Sequence, residues 1–180
     1  MEGDLSIAIS GTPGTGKTSL ADVFVKERIN VVSVEELAEA FGYLGNLDSK
    51  DGTKEVDIHR LSNEWQHDNP GIIVVEGHLS HFLDVDVIII LRCNPSVLRK
   101  RLELRKYSEQ KVTANVEWEL ISGVWSELLE FEIEAPILEI DTTELATEQV
   151  YDKVVSWLNG ELVQEDLFEQ SNKAIDWMAN

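Results

Sequence analysis

One run of residues has types and spacing suited to binding a triphosphate. Residues 11–18 read Gly-Thr-Pro-Gly-Thr-Gly-Lys-Thr and match the pattern G-x-x-x-x-G-K-[ST]. Its glycines let backbone N–H groups turn inward onto phosphate oxygens, aided by the positive N-terminus of a following helix. Lys17 supplies a charge near the β- and γ-phosphates, and the Thr18 hydroxyl suits Mg²⁺. The segment therefore predicts a site for ATP and Mg²⁺.

A second candidate group is the acid that closes the apolar run 72–75. Glu76 follows Ile-Ile-Val-Val directly, as an acid at the end of a neighbouring strand would. It could act on the metal through a bound water or orient the phosphoryl acceptor, and a strand-end glutamate facing solvent is the alternative. His78 could orient that acid or a water, or be a hydrogen-bonded structural histidine. His78 and His81 lack a carboxylate or cysteine at matching spacing, so we do not expect them to bind a metal.

Basic residues concentrate in the segment 99–111. Six of the 15 lysines and arginines lie there, and two glutamates leave an excess of four positive charges within a chain of net charge −19. Phosphate is the natural ligand for such a segment, although a solvated helix face would have the same composition. We expect Arg105 and Arg92 to be the arginines that stabilise a transferred phosphoryl group.

The elements that position these groups follow from the hydrophobic pattern. Strands are predicted at residues 5–10, 31–32, 72–76, 86–92 and 137–141, and helices at 19–27, 34–41, 56–65, 95–106, from about 109 through 128, and from about 147. The strands lack polar alternation, which indicates a parallel sheet covered on both faces. Strands separated by helices predict a three-layer α/β sandwich around a central five-stranded parallel sheet. Glycines and scattered charge at 42–53 predict a flexible loop.

Length, charge and cysteine content limit the class of protein. A chain of 180 residues points to one domain, and its single cysteine, Cys93, cannot form an internal disulfide. A basic leader and a membrane-length apolar stretch are both missing, so we expect a cytoplasmic protein with no membrane partner. The net charge of −19 disfavours bare nucleic acid and favours a basic protein partner, although acidity that serves only solubility is an equal alternative.

Several short sequence segments, taken together with the phosphate loop, make the prediction of the protein family more specific. They lie at residues 76–81 (Glu-Gly-His-Leu-Ser-His), 91–93 (Leu-Arg-Cys), 105–111 (Arg-Lys-Tyr-Ser-Glu-Gln-Lys) and 139–143 (Glu-Ile-Asp-Thr-Thr). Together they resemble the adenylate kinase isoenzyme 6 family of P-loop NTPases, particularly its archaeal members. The resemblance covers about residues 5–158 and is specific at the phosphate loop and around His78.

That resemblance implies a domain organisation and a set of site residues. It implies one nucleoside-monophosphate-kinase-like domain at 1–160, with an acceptor-binding insert at 33–56 and a short lid at 104–114, followed by an acidic tail at 161–180. The implied ATP contacts come from Gly14, Gly16, Lys17, Thr18 and Ser19, with Arg105 closing from the lid. Lys17, Glu76, His78 and Arg105 are the implied catalytic residues, and Mg²⁺ is the implied cofactor, held by Thr18 and by Glu76 through water.

The resemblance also implies two related functions. One is a broad-specificity kinase that transfers the ATP γ-phosphoryl group to AMP or a similar monophosphate, with ATPase activity and a role in small ribosomal subunit maturation beside a basic ribosomal protein. The alternative is a ribosome-assembly ATPase with little AMP kinase activity, and a kinase for a small metabolite is a third reading. No direct sequence-specific nucleic-acid binding is expected.

Two departures from the family pattern bear on that choice. Lys106 stands where the family's lid has glycine, which predicts a stiffer lid. The insert 33–56 contains no arginine, and Glu39 stands where a basic anchor for the acceptor phosphate is expected. The second departure favours the ATPase reading and leaves ATP binding untouched.

Overall fold

A computed structural model describes residues 3–47, 54–67, 70–160, 162 and 165–179 of the chain. The first half contains β1 (Leu5–Ser10), α1 (Lys17–Lys26), β2 (Asn30–Ser33), α2 (Val34–Phe41), β3 (Leu44–Leu47), β4 (Lys54–Val56), α3 (Ile58–Glu64) and β5 (Ile72–Glu76). After a 3₁₀ turn (Ser80–Phe82) come β6 (Val87–Arg92), α4 (Pro95–Leu104), α5 (Glu109–Leu120), α6 (Gly123–Glu130), β7 (Ile137–Asp141), α7 (Thr147–Leu158) and α8 (Leu167–Ser171). Among these described helices, none combines the length and the apolar character that crossing a bilayer requires.

Five parallel strands form the central sheet in the order β2-β5-β1-β6-β7, which confirms the predicted fold class. The sheet is covered on both faces, because successive β1 residues point to opposite sides. Ile7 and Ile9 pack against α1 and α7, and Ala8 packs against α6. Ile9 lies opposite both Glu76 of β5 and Ile89 of β6. The carboxyl ends of β1 and β5 are therefore adjacent, and the loop after β1 emerges beside Glu76.

The segment predicted as a flexible loop begins instead with a strand. β3 pairs antiparallel with β4, with Leu44 opposite Val56. Both side chains pack against the cluster that contains Ala38 of α2 and Leu61 of α3. This shared apolar contact outweighs the local glycine and charge content, so the prediction was wrong for residues 44–47. Residues 48–53 lie outside the described residues.

The single long helix predicted from residue 109 is also wrong. α5 ends at Leu120 and α6 begins at Gly123, because Ser122 between them has a left-handed backbone with φ of 55°. Gly123 follows without a side chain, and a Cβ there would lie 2.0 Å from the ring of Trp118. The apolar repeat from Val112 to Leu128 continues across the break, but its first half packs in one hydrophobic cluster and its second half in another. Val112 packs with α4, whereas Val124 packs on the sheet.

The chain after residue 160 packs on the body where the structure describes it. Leu167 and Gln170 of α8 are buried, and the Gln170 side chain accepts a hydrogen bond from the backbone N–H of Ile137 on β7 (3.3 Å) and donates one to the carbonyl of Glu165 (2.9 Å). The sequence left open whether this segment packs, folds onto a partner or stays disordered. The structure favours packing.

The turn between α4 and α5 allows a stability test. Lys106 has φ of 59°, a left-handed conformation that costs a residue with a Cβ about 1 kcal/mol. Lys106→Gly is therefore expected to raise the free energy of unfolding by roughly 0.5–1 kcal/mol in urea titrations. Lys100→Gly, inside α4, is the control and should lose about 1 kcal/mol. Equal losses in both variants would contradict the assignment of strain to Lys106.

Candidate nucleotide-binding site

The loop between β1 and α1 has the backbone of an anion site. Gly11 has φ of 136°, and a Cβ there would lie 2.3 Å from the carbonyl oxygen of Leu91, so only glycine lets the loop pass β6. Gly16 (φ 107°) caps α1, and no heavy atom lies within 4 Å of the position its Cβ would take. The first turn of α1 carries no acidic residue and no side-chain cap. Its backbone N–H groups are therefore available to a phosphate.

Lys17 is buried at the base of this loop. Its Nζ donates to the carbonyl oxygens of Gly11 (2.7 Å) and Thr12 (3.0 Å). Burial lowers the pKa of Lys17 to about 8, Glu76 opposes that shift, and Arg105 adds to it. The ammonium is therefore held by neutral carbonyls in a low-dielectric position, where a phosphate would be a stronger partner.

Thr18 and Glu76 lie side by side at the start of α1 and the end of β5. Burial raises the pKa of Glu76, and the nearby Lys17 charge and Thr18 hydroxyl oppose that rise. Two neighbouring hard oxygen donors fit Mg²⁺, which usually takes one or two protein ligands and completes its shell with phosphate and water. Across the described ranges, no group of three His, Cys, Asp or Glu side chains is arranged to hold a metal alone. A metal at Thr18 would therefore need nucleotide oxygens as further ligands.

The two histidines near Glu76 have different environments. His78 is an exposed residue, and partial desolvation of its ring first, and the Lys17 charge second, lower its pKa below the usual value, so His78 is mostly neutral at physiological pH. Its carbonyl accepts a hydrogen bond from Ser10 Oγ at the end of β1 (3.2 Å). His81 is fully buried, with Nδ1 2.8 Å from the same Ser10 Oγ. His81 Nε2 lies 3.1 Å from a carboxylate oxygen of Glu127, without meeting hydrogen-bond geometry. His81 is thus a structural residue that ties the β5 end to β1.

A cavity of about 410 Å³ opens on one side of the loop. It is lined by Gly14, Thr15, Gly16, Ser19, Leu20, Leu91, Arg101, Leu104, Arg105, Thr142, Leu145, Thr147 and Val150. The predicted ATP contacts Gly14, Gly16, Ser19 and Arg105 all line it. Its apolar wall, which includes Leu145 and Val150, is suited to a nucleobase and was not predicted from the sequence.

Arg101 is a cavity residue that sequence reasoning did not single out. Its guanidinium donates to the carbonyls of Thr142 (2.9 Å) and Thr143 (3.1 Å), and Thr142 Oγ1 donates to the Thr15 carbonyl (2.7 Å). Arg101 therefore fixes the segment after β7 against the phosphate loop. Two features of the sequence could have pointed to Arg101: the basic segment 99–111 and the Thr-Thr pair at 142–143. They indicate this role only when the fold brings the two segments into contact.

Arg92 does not have the role expected for it. Its side chain is buried, with Nε 2.8 Å from Glu119 Oε1 and Nη1 2.5 Å from Glu139 Oε1. The expectation that Arg92 stabilises the moving phosphoryl group is wrong, because the guanidinium is committed to internal carboxylates. Arg105, by contrast, is exposed at the mouth of the cavity.

A second cavity, of about 530 Å³, lies on the other side of the α1 start and is acidic. It is lined by Thr18, Ala21, Asp22, Val25, Val31, Val32, Ser33, Glu35, Glu36, Glu39 and Glu76, without a lysine or arginine among these described residues. Glu36 is engaged in the cap of α2, where it accepts hydrogen bonds from the Ser33 N–H and hydroxyl (2.8 Å each). We call this the acidic cavity, and the first one the nucleotide cavity.

Comparison with known proteins identifies the family. Residues 7–122 match the family described as "AAA domain". The chain is 39% identical over 173 residues to the Archaeoglobus fulgidus protein named "Putative adenylate kinase", covering 96% of this chain and 92% of that protein. A Thermococcus onnurineus protein of the same name is 40% identical over 155 residues, covering 84% and 83%. This chain belongs to that archaeal family. The P-loop family predicted from the sequence is thereby confirmed.

Solved structures show the same fold at low sequence identity. Deoxyadenosine kinase from M. mycoides with bound dATP superposes with a TM-score of 0.53 at 16% identity, covering 87% of this chain and all of that one (100%). Shikimate kinase from Bacteroides thetaiotaomicron gives a TM-score of 0.52 at 15% identity, covering 87% and 99%. The family therefore has a P-loop kinase fold.

The lowered pKa of Lys17 predicts how ATP binding depends on pH. The affinity should fall as the pH rises through about 8, because only the protonated ammonium pairs with phosphate. In calorimetric titrations from pH 7 to 9.5, Kd should rise toward tenfold per pH unit above 8. Lys17→Met should bind weakly with no such slope. A parallel slope in both proteins would contradict the assignment.

Proposed function

We propose that this protein is an ATP-dependent phosphotransferase of the adenylate kinase type. It would transfer the ATP γ-phosphoryl group to AMP or a similar nucleoside monophosphate with Mg²⁺. The observation that carries the proposal is that Ser19 lines the nucleotide cavity while its neighbour Thr18 lines the acidic cavity. A phosphoryl group held at the start of α1 would therefore face both cavities. The names of the archaeal relatives support the same activity.

The residues of the site would divide the work of an in-line transfer. Lys17 and the N–H groups of α1 would hold the β- and γ-phosphates, and Arg105 would reach the transferred group from the turn after α4. Mg²⁺, when bound, would neutralise charge between the phosphates, with Thr18 as ligand and Glu76 acting directly or through water. Neutral His78 can accept a hydrogen bond from a water or an acceptor. Positioning of this kind supplies most of the rate in phosphoryl transfer.

The organisation implied by the resemblance fits this division. Residues 33–56, proposed as the acceptor-binding insert, include α2 and the β3–β4 hairpin, and α2 contributes Glu36 and Glu39 to the acidic cavity. Residues 104–114, proposed as the lid, are a short turn followed by the first helical residues of α5. The lid motion would therefore be confined to the few residues around Arg105.

A second candidate function is ATP hydrolysis in ribosome assembly, with little AMP kinase activity. The acidic cavity favours it, because its carboxylates oppose a phosphate-bearing acceptor but do not oppose water. The net charge of −19 suits the proposed partner, a basic small-subunit ribosomal protein. A cytoplasmic location remains a prediction of the sequence.

An assay with ATP and Mg²⁺, with and without AMP, separates the two candidates when ADP and inorganic phosphate are followed separately. The kinase predicts ADP without phosphate release, and only with AMP present, whereas the ATPase predicts phosphate release independent of AMP. Arg105→Ala should lower kcat by up to ~10³-fold in either case. Arg99→Ala, within α4 before that turn and paired with Glu109 (2.9 Å), is the control and should retain kcat. Retention of kcat in Arg105→Ala would refute the role of Arg105.

The acidic cavity makes a separate prediction about the acceptor. Glu39→Arg replaces a repulsive carboxylate with a cation and should lower KM for AMP roughly tenfold, equivalent to about 1.4 kcal/mol. Glu130→Arg, an exposed position at the end of α6, makes the same change of net charge away from this cavity. An identical KM in the two variants would show that Glu39 does not face the acceptor.

A further inference from the structure

A buried arginine contacts one buried carboxylate and one partly buried carboxylate next to the phosphate loop. Glu119 of α5 and Glu139 of β7 both contact Arg92 at the end of β6. Arg92 and Glu119 are each 2% exposed. We call these three residues, with Trp125 and Trp177, the Arg92 cluster. Neither the predicted ATP contacts nor the proposed mechanism uses it.

Arg92 is fully satisfied within the protein. An arginine has five N–H donors, and those of Arg92 reach five acceptors. The acceptors are Glu119 Oε1, the Glu119 carbonyl, Glu139 Oε1, Ser122 Oγ and the Ile175 carbonyl. Two carboxylates facing one guanidinium leave an excess negative charge, which needs further hydrogen-bond donors when it is buried. The N–H of Cys93 donates to Glu119 Oε1 (3.1 Å), and Trp125 Nε1 donates to Glu139 Oε1 (2.8 Å). Further donors come from the phosphate loop and the C-terminal segment.

One donor comes from the phosphate loop. Thr12 Oγ1 donates to Glu119 Oε2 at 2.5 Å, and Thr12 is itself buried. The carbonyl of Thr12 accepts from Lys17 Nζ (3.0 Å) and from the N–H and hydroxyl of Thr15 (3.2 and 2.9 Å). Glu119 therefore fixes Thr12, and the carbonyl of Thr12 in turn accepts a hydrogen bond from Lys17.

Other donors come from the C-terminal segment, residues 172–179. Trp177 Nε1 donates to Glu119 Oε1 at 3.0 Å, and the N–H of Ile175 donates to Glu139 Oε2 at 2.8 Å. The Arg92 guanidinium lies 5.9 Å from the centre of the Trp177 ring. The Glu119 carboxylate, which accepts a hydrogen bond from Thr12, thus also accepts one from the C-terminal segment.

We propose that Glu119 and Trp177 are positioning residues of the nucleotide site. Together with Arg92 and the N–H of Cys93, Trp177 holds the Glu119 carboxylate in the orientation that fixes Thr12 and, through the Thr12 carbonyl, Lys17. The C-terminal segment then sets the affinity for ATP without touching it. This inference rests on the proposed nucleotide binding, but not on which acceptor receives the phosphoryl group.

The test is ATP affinity, measured by calorimetry with Mg²⁺ well below the melting temperature of each variant. Trp177→Phe keeps an aromatic side chain but removes the indole N–H from which Glu119 accepts, and it should raise Kd for ATP about fivefold or more. Trp125→Phe is the matched control, because Trp125 Nε1 donates to Glu139 rather than to Glu119 (2.8 Å). It should lower the melting temperature at least as much, because Trp125 is buried and Trp177 is half-buried, and it should change Kd less than twofold.

A double-mutant cycle separates positioning from general loss of stability. Thr12→Val removes the hydroxyl that links the loop to Glu119, so adding Trp177→Phe to it should change Kd no further. ATP binding should in turn slow hydrogen exchange in peptides covering residues 172–179, since coupling is reciprocal. That protection should disappear in Thr12→Val.

The outcomes separate this inference from the proposed function. If wild-type protein binds no ATP, the proposed nucleotide site itself fails. If wild-type protein binds ATP and Trp177→Phe binds it as tightly as Trp125→Phe does, the inference is overturned and Trp177 is only a packing residue. Additive effects of Thr12→Val and Trp177→Phe on Kd would also overturn it, because the two contacts would then act independently.

Discussion

Burying the Lys17 ammonium against neutral carbonyl oxygens is the constraint around which the site is built. The shift of its pKa from 10.5 to about 8 corresponds to roughly 3 kcal/mol against the charged form at neutral pH. The loop tolerates this cost because its other contacts hold the carbonyls in place. Gly11 fits against β6, and the Thr12 carbonyl is shared with Thr15. A triphosphate would supply the missing countercharge, so the feature that destabilises the free protein is the one that binds the nucleotide.

The sheet could be predicted from the sequence because its signal is local. Each strand is a short, continuous apolar run, and the structure places such runs at residues 5–10, 72–76, 87–92 and 137–141. The break between α5 and α6 could not be predicted in the same way. Its apolar repeat is uninterrupted, and the left-handed Ser122 is held by long-range contacts, a hydrogen bond from Arg92 among them (3.0 Å). The β3 strand was missed for the same reason, since Val56, the partner of Leu44, lies 12 positions further along the chain.

Within the site, too, residues marked by a local sequence pattern could be predicted, whereas roles that depend on distant contacts could not. The phosphate loop and Glu76 could be found because a motif and a strand end are each contained in a few residues. Arg92 and Arg101 have the same side chain, and their different roles depend on which neighbours fold against them. Buried carboxylates surround Arg92, whereas Arg101 meets the backbone after β7 at the edge of a cavity. Similarly, nothing near Trp177 in the sequence indicates that its N–H reaches a carboxylate 58 positions away.

In the proposed function, the distribution of charge around the α1 start would influence which acceptor receives the phosphoryl group. Arginines line the nucleotide cavity, and carboxylates line the acidic cavity, so the two sides of the transferred group have opposite potentials. A like charge about 4 Å from an acceptor phosphate costs ~1 kcal/mol in water and ~4 kcal/mol at the effective dielectric of a protein surface. A water molecule carries no such penalty. Under the proposed function, the phosphate loop would bind the donor, and the carboxylates of the acidic cavity would favour water over a monophosphate as acceptor.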